Sequence, residues 1–285
     1  MGRDLYRVLS GRGWLWTICV LGVLAATLGA NVIEPSYRLP LLLLGCFVCE
    51  LVDSSLGMGY GTTVTPLLLA AGYSPLDIVP AVLISEFLSG LSAWLFHAEV
   101  GNVSIARGSA DLRAAMLLGV GSVVGVIVGV NLAIRLPETT LKILIGVVIL
   151  VAGLFILTNL RRQFVFQRWK LMVLALVASF NKGVSGGGYG PLLTTGQVLS
   201  GLPGRAAVAI TSFAESLTCL VGAGLYLVEG NPIRLELLVP ACAGALLSVP
   251  WSAQLVRRLP ESRLRWCIAL LTCGLGLFIL IRALG

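Results

Sequence analysis

Long apolar stretches separated by short polar ones fill the chain. Segments of the roughly 20 residues that one membrane crossing needs run over 14–32, 76–97, 112–134, 140–158, 204–228, 234–256 and 264–282. The pattern changes in two places. Residues 41–51 are apolar, then come Asp53-Ser54-Ser55, the cluster Leu56-Gly57-Met58-Gly59-Tyr60-Gly61, and a short apolar stretch 62–71 that stops at Gly72. Residues 171–180 are apolar, then come Asn181-Lys182, the cluster Ser185-Gly186-Gly187-Gly188-Tyr189-Gly190, and the apolar stretch 192–199. A helix over 62–71 is about 15 Å long at 1.5 Å per residue, half of a hydrocarbon core of roughly 30 Å. Each pair therefore predicts a re-entrant hairpin, or a helix broken near the midplane, with glycines at its tip.

The two places are copies. An offset of 129 residues lays Gly57-Met58-Gly59-Tyr60-Gly61 on Gly186-Gly187-Gly188-Tyr189-Gly190, Glu86 on Glu215 and Gly101-Asn102 on Gly230-Asn231. Slightly out of that register, Arg135-Leu136-Pro137-Glu138 matches Arg258-Leu259-Pro260-Glu261. One hairpin and three crossings per copy make an odd number, so the second copy is expected inverted. Basic loops agree. Arg161, Arg162, Arg168 and Lys170 mark one cytoplasmic loop and Arg257, Arg258, Arg263 and Arg265 another, while 135–138 is nearly neutral and reads as external. Arg3, Arg7 and Arg12 precede the first segment, whose apolar run is too long for a cleaved signal peptide. The expected plan is an all-α polytopic membrane protein. It has a cytoplasmic stub and first helix over 1–38, repeat one over 39–160, a loop over 161–170 and an inverted repeat two over 171–285.

Composition narrows the partners. Of 285 residues 57% are hydrophobic and 12% charged, against roughly 25% charged in a soluble domain, so most side chains meet lipid or one another. The net charge of +7 is gathered in loops, and no broad basic face for nucleic acid is visible. A homodimer is left open. The seven cysteines lie in apolar segments. Cys46 and Cys49 form a C-x-x-C, which in this setting reads as small packing residues. No P-loop, G-x-S-x-G or H-x-x-x-H pattern occurs. Neither an enzyme nor a cofactor or metal is expected.

The glycine tips carry the candidate chemistry. A helix starting after such a tip has unpartnered N–H groups and the positive end of its dipole there, and that arrangement binds anions. Two such ends facing each other make an anion site from Gly57, Gly59, Gly61, Thr62, Asn181, Lys182, Ser185, Gly186, Gly187, Gly188 and Gly190, with hydroxyls of Ser54, Ser55, Thr63, Thr194 and Thr195 in reach. The competing reading of the glycines is close helix packing. Lys182 needs a counter-charge at this depth: either the transported anion or Asp53, its counterpart in repeat one. Glu86 and Glu215 sit mid-segment. They are expected either to carry protons or to hydrogen-bond the unwound backbone of the opposing tip. Glu50 is a weaker candidate, since Ser179 stands at its matching position. His97 reads as an interfacial residue, and Trp14, Trp16, Trp169, Trp251 and Trp266 as interface anchors.

Two G-x-G-Y-G elements, each after a short apolar run and each followed by a helix carrying Ser85-Glu86 or Ala214-Glu215, resemble the TauE/SafE sulfite exporter family over about residues 40–282. The resemblance implies transport, chiefly export, of sulfite, sulfoacetate or related organosulfur anions across a bacterial or archaeal inner membrane. It also implies that Gly57, Gly59, Gly61, Gly186, Gly187, Gly188 and Gly190 line the substrate site. Met58 in place of a glycine, and Asn181-Lys182 opposite Val52-Asp53, depart from perfect duplication.

Overall fold

The computed structural model describes residues 38–57, 59–159, 168–199, 202–231, 233–255 and 261–284. The segment over 14–32, its tryptophans and the amino-terminal arginines lie outside the described residues, as do most of the two basic loops. Among the described residues the chain forms α1 (Arg38–Leu56), α2 (Tyr60–Ala70), α3 (Pro75–Glu99), α4 (Ala110–Ala133), α5 (Glu138–Asn159), α6 (Arg168–Ser185), α7 (Tyr189–Leu199), α8 (Gly204–Val228), α9 (Leu235–Leu255) and α10 (Glu261–Leu284). By length and composition α1, α3, α4, α5, α8 and α9 each suffice to cross a membrane, and the protein is a multi-pass membrane protein.

Both tip-forming helices outrun their apolar runs. α1 continues through Asp53-Ser54-Ser55 because the serines bond back one turn: Ser55 Oγ donates to Leu51 O (2.5 Å) and Ser54 Oγ to Glu50 Oε1 (2.5 Å). In α6, Ser185 Oγ donates to Asn181 O (2.9 Å). The polar residues stay helical because they face buried partners and not lipid. Each helix then stops at a glycine in the left-handed region, Gly57 (φ 69°) and Gly186 (φ 70°), where an L side chain is strained.

Helix directions follow from the contacts. Gly244 of α9 lies against Leu43 and Phe47, and Ser55 Oγ reaches Ser252 O (3.4 Å), so α1 and α9 run the same way. α3 ends beside both, with His97 Nε2 3.0 Å from Ser54 O. A four-residue link joins α2 to the start of α3, so α2 runs back along α1: the pair is a re-entrant hairpin and not a broken crossing. In the other half α6 runs alongside α4, where Gly121, Gly125 and Gly129 form a groove against Met172, Leu176, Ser179 and Phe180. Small residues on one stripe let backbones approach closely. The outward Val120, Val124 and Val128 of the same helix are more than half exposed.

The packing pairs repeat between halves. α1 with α9 corresponds to α6 with α4, and α3 with α9 to α8 with α4. The matching helices α3 and α8 pack on each other antiparallel, Gly90 against Ser212 and Ser216 and Gly222 against Leu83. α5 and α10 do likewise, with Gly153 at Cys273 and Gly146 at Leu280. Each hairpin is thus clamped by helices of the other half, and its tip is carried into the centre of the bundle.

Candidate functional site

The two tips touch. A methyl group on Gly61 would stand 1.8 Å from the Gly186 carbonyl oxygen, and one on Gly187 would stand 2.6 Å from Thr62 N. The hairpins pass each other, so that each tip lies beside the returning helix of its counterpart. Gly57 packs on Thr194 of α7, whose Oγ1 donates to Gly57 O (2.9 Å). Gly186 packs on Thr65 of α2. All described residues of both tips are buried.

The start of α2 is closed by carboxylates. Tyr60 N donates to Asp53 Oδ1 (3.2 Å) and Gly61 N to Glu86 Oε1 (3.3 Å), two acceptors at the positive end of the helix dipole. This cap cannot be repeated at α7. The residue matching Asp53 is Lys182, whose ammonium has no acceptor atom. Lys182 is 1% exposed and pairs with Glu215 Oε1 (2.7 Å) and with Glu86 Oε2. One cation from α6 thereby joins α3 of one half to α8 of the other. A lone ammonium at this depth is costly, and two buried carboxylates stand beside it as partners.

The partner of Lys182 is therefore not Asp53. Lys182 has two carboxylates on α3 and α8 within reach, and Asp53 is engaged at the α2 amide. Nor does Glu86 hydrogen-bond the backbone of the opposing tip: Oε1 accepts from the amide of Gly61 in its own half, and Oε2 reaches the other hairpin only through the Lys182 side chain. Several hydroxyls expected to form a cage stabilise the tips internally. Thr62 Oγ1 donates to Gly59 O (3.1 Å), and Ser185 Oγ accepts from Gly187 N (3.1 Å). Asn181 lies against Gly188. Glu50 is buried beside Ser54, with Oε2 unpartnered. His97 is no exposed anchor: it is fully buried, with Nδ1 2.9 Å from Asn102 Nδ2. Since Asn102 Nδ2 also donates to Ala253 O (3.1 Å), it donates to Nδ1 as well, and Nε2–H is left to donate to Ser54 O. Trp169, Trp251 and Trp266 are exposed.

Sequence reasoning passed over Thr65, Tyr60 and Tyr189. The tyrosines are fully buried, and their hydroxyls meet Ser85 Oγ (3.0 Å) and Ser122 Oγ (2.8 Å), pinning each returning helix to its surroundings. The 129-residue offset would have found Thr65, since it matches Thr194.

The sequence matches the family described as Sulfite exporter TauE/SafE over residues 41–279. It is 28% identical over 222 residues to the Probable membrane transporter protein YtnM of Bacillus subtilis (strain 168), covering 73% of this chain and 71% of that protein. No solved structure matches.

Proposed function

Since the chain belongs to the TauE/SafE sulfite exporter family, we propose that this membrane transporter is a secondary carrier that exports sulfite or a related small organosulfur anion across the plasma membrane. The single observation that supports this reading most is the meeting of two glycine tips, one from each half, around the buried Lys182. Two half-helix ends near the bilayer centre are how carriers built from inverted repeats hold an ion. In this reading the two halves have opposite senses in the membrane, the amino terminus is cytoplasmic, and the anion binds between Gly57–Thr62 and Asn181–Gly190 when the tips part. An arriving anion is a new partner for Lys182. The carboxylates it displaces, Glu86 and Glu215, are then without their counter-ion, and a proton taken up there restores the balance. That couples anion export to the proton gradient.

Purified protein in proteoliposomes tests this. Sulfite efflux is expected to depend on an imposed pH gradient, to be accelerated by sulfite on the opposite side, and to become independent of that gradient in Glu86→Gln. The alternative, an uptake permease or channel for another small solute, gives no accelerated exchange if it is a channel. Absence of sulfite, sulfoacetate, thiosulfate and taurine flux would remove the anion assignment.

A further inference from the structure

Thr65 and Thr194 hold matching places in the two halves, yet they use their hydroxyls differently. Thr194 Oγ1 is bonded to Gly57 O (2.9 Å) and to Thr211 Oγ1 (3.0 Å). Thr65 is 0% exposed and its Oγ1 has no hydrogen-bond partner. A buried hydroxyl left without a partner disfavours the fold, and a valine of the same shape would avoid that cost. The unused hydroxyl points at the second tip: a methyl group on Gly186 would be 3.2 Å from Thr65 Oγ1. On that side stand the other features suited to an anion. Lys182 lies one turn before Gly186, whose amide bonds to the Lys182 carbonyl (2.8 Å). α7 starts there without the carboxylate cap that Asp53 supplies to α2.

Resting on the reading that the protein carries a small anion, we infer that the site is one-sided: the Thr65 hydroxyl donates a hydrogen bond to an oxyanion held at the second tip. The first tip is already neutralised by Asp53 and Glu86. The second offers Lys182, whose partners Glu86 and Glu215 the arriving anion displaces, together with the first amides of α7 and a hydroxyl from the other half. An oxyanion with unsubstituted sulfur–oxygen groups presents several acceptors to such donors, so Thr65 sets affinity for the oxygen atoms and not only for charge.

The test is thermal denaturation of the purified full chain with sodium sulfite, comparing wild type with Thr65→Val and Thr194→Val. Without sulfite, Thr65→Val is expected to melt at or above the wild-type temperature and Thr194→Val below it. With sulfite, the concentration giving half the stabilising shift is expected to rise about tenfold in Thr65→Val, the loss of one hydrogen bond to a charged acceptor. An unchanged sulfite dependence in Thr65→Val, or a melting temperature well below wild type without ligand, overturns the inference while leaving the anion reading standing. A wild-type protein that no sulfur oxyanion stabilises overturns both.

Discussion

Lys182 Nζ on α6 stands 2.7 Å from Glu215 Oε1 on α8, and the same ammonium is paired with Glu86 on α3. Removing the cation leaves two carboxylates in the bundle centre with nothing to compensate them. Breaking a buried pair in this way costs about 3–5 kcal/mol. Lys182→Met is therefore expected to fold with a clearly lowered melting temperature and to lose anion flux. The triple variant Lys182→Met/Glu86→Gln/Glu215→Gln removes both carboxylates that lost their counter-ion, so most of the stability is expected to return while flux stays absent. Calorimetry and proteoliposome flux read the two effects separately. An undiminished melting temperature in Lys182→Met contradicts the charge-compensation argument.

Gly61 and Gly45 make a matched pair of alanine tests. At Gly45 the added methyl meets nothing within 4 Å, and alanine in mid-helix is favoured over glycine by roughly 0.5–1 kcal/mol. At Gly61 the methyl would stand 1.8 Å from a backbone carbonyl of the other tip, and a backbone atom cannot rotate away. Overpacking of this kind costs about 1–3 kcal/mol or more. Gly61→Ala is expected to lower the melting temperature and to stop transport by holding the tips apart. Gly45→Ala is expected to leave flux unchanged. Wild-type transport in Gly61→Ala would mean that tip contact is not part of the cycle.

Much of the architecture was legible in the sequence because a bilayer allows so few solutions. Segment lengths, the two short returning pieces and the 129-residue offset place nearly every described helix and both glycine tips. The site was less legible, for a specific reason. The offset says which residues are equivalent but not which equivalent partners meet. Asp53 and Lys182 match each other and carry opposite charges, so pairing them was natural. In the fold each faces α3 and α8 near the centre, and Lys182 finds Glu86 and Glu215 there first. His97 stands at the end of an apolar segment, which resembles an interface position. Its burial comes from α1 and α9, which end at the same level, and no local pattern in the sequence reports that.

The Asp53 carboxylate caps the first amide of α2, Tyr60 N to Oδ1 at 3.2 Å. Loss of a side-chain acceptor at a helix start costs roughly 0.5–2 kcal/mol. Asp53→Ala is expected to fall in that range in denaturation, whereas Asp53→Asn keeps an acceptor oxygen and is expected to retain most of the stability. Equal losses in the two variants would show that the negative charge of Asp53, and not its acceptor oxygen, is what matters.

His97 and Tyr226 do the same work in opposite halves. They are 129 residues apart, as are their acceptors: His97 Nε2 donates to Ser54 O (3.0 Å) and Tyr226 Oη to Gly183 O (2.9 Å). Each bond ties the end of a long helix, α3 or α8, to the last turn before a glycine tip. Because α3 and α8 run antiparallel, the two clasps sit at opposite ends of the bundle and share no partner. Tyr226→Phe removes one hydroxyl and leaves a buried carbonyl short of a donor, a loss of about 1–3 kcal/mol. His97→Ala also empties space between α1, α3 and α9 and removes one partner of Asn102, so its loss is expected to be the larger. Mutations at separated sites add to within roughly 0.5 kcal/mol, and the double variant is expected to show the sum. A double variant no less stable than His97→Ala alone would mean that the two tips open as one unit, with the first broken clasp already releasing the second.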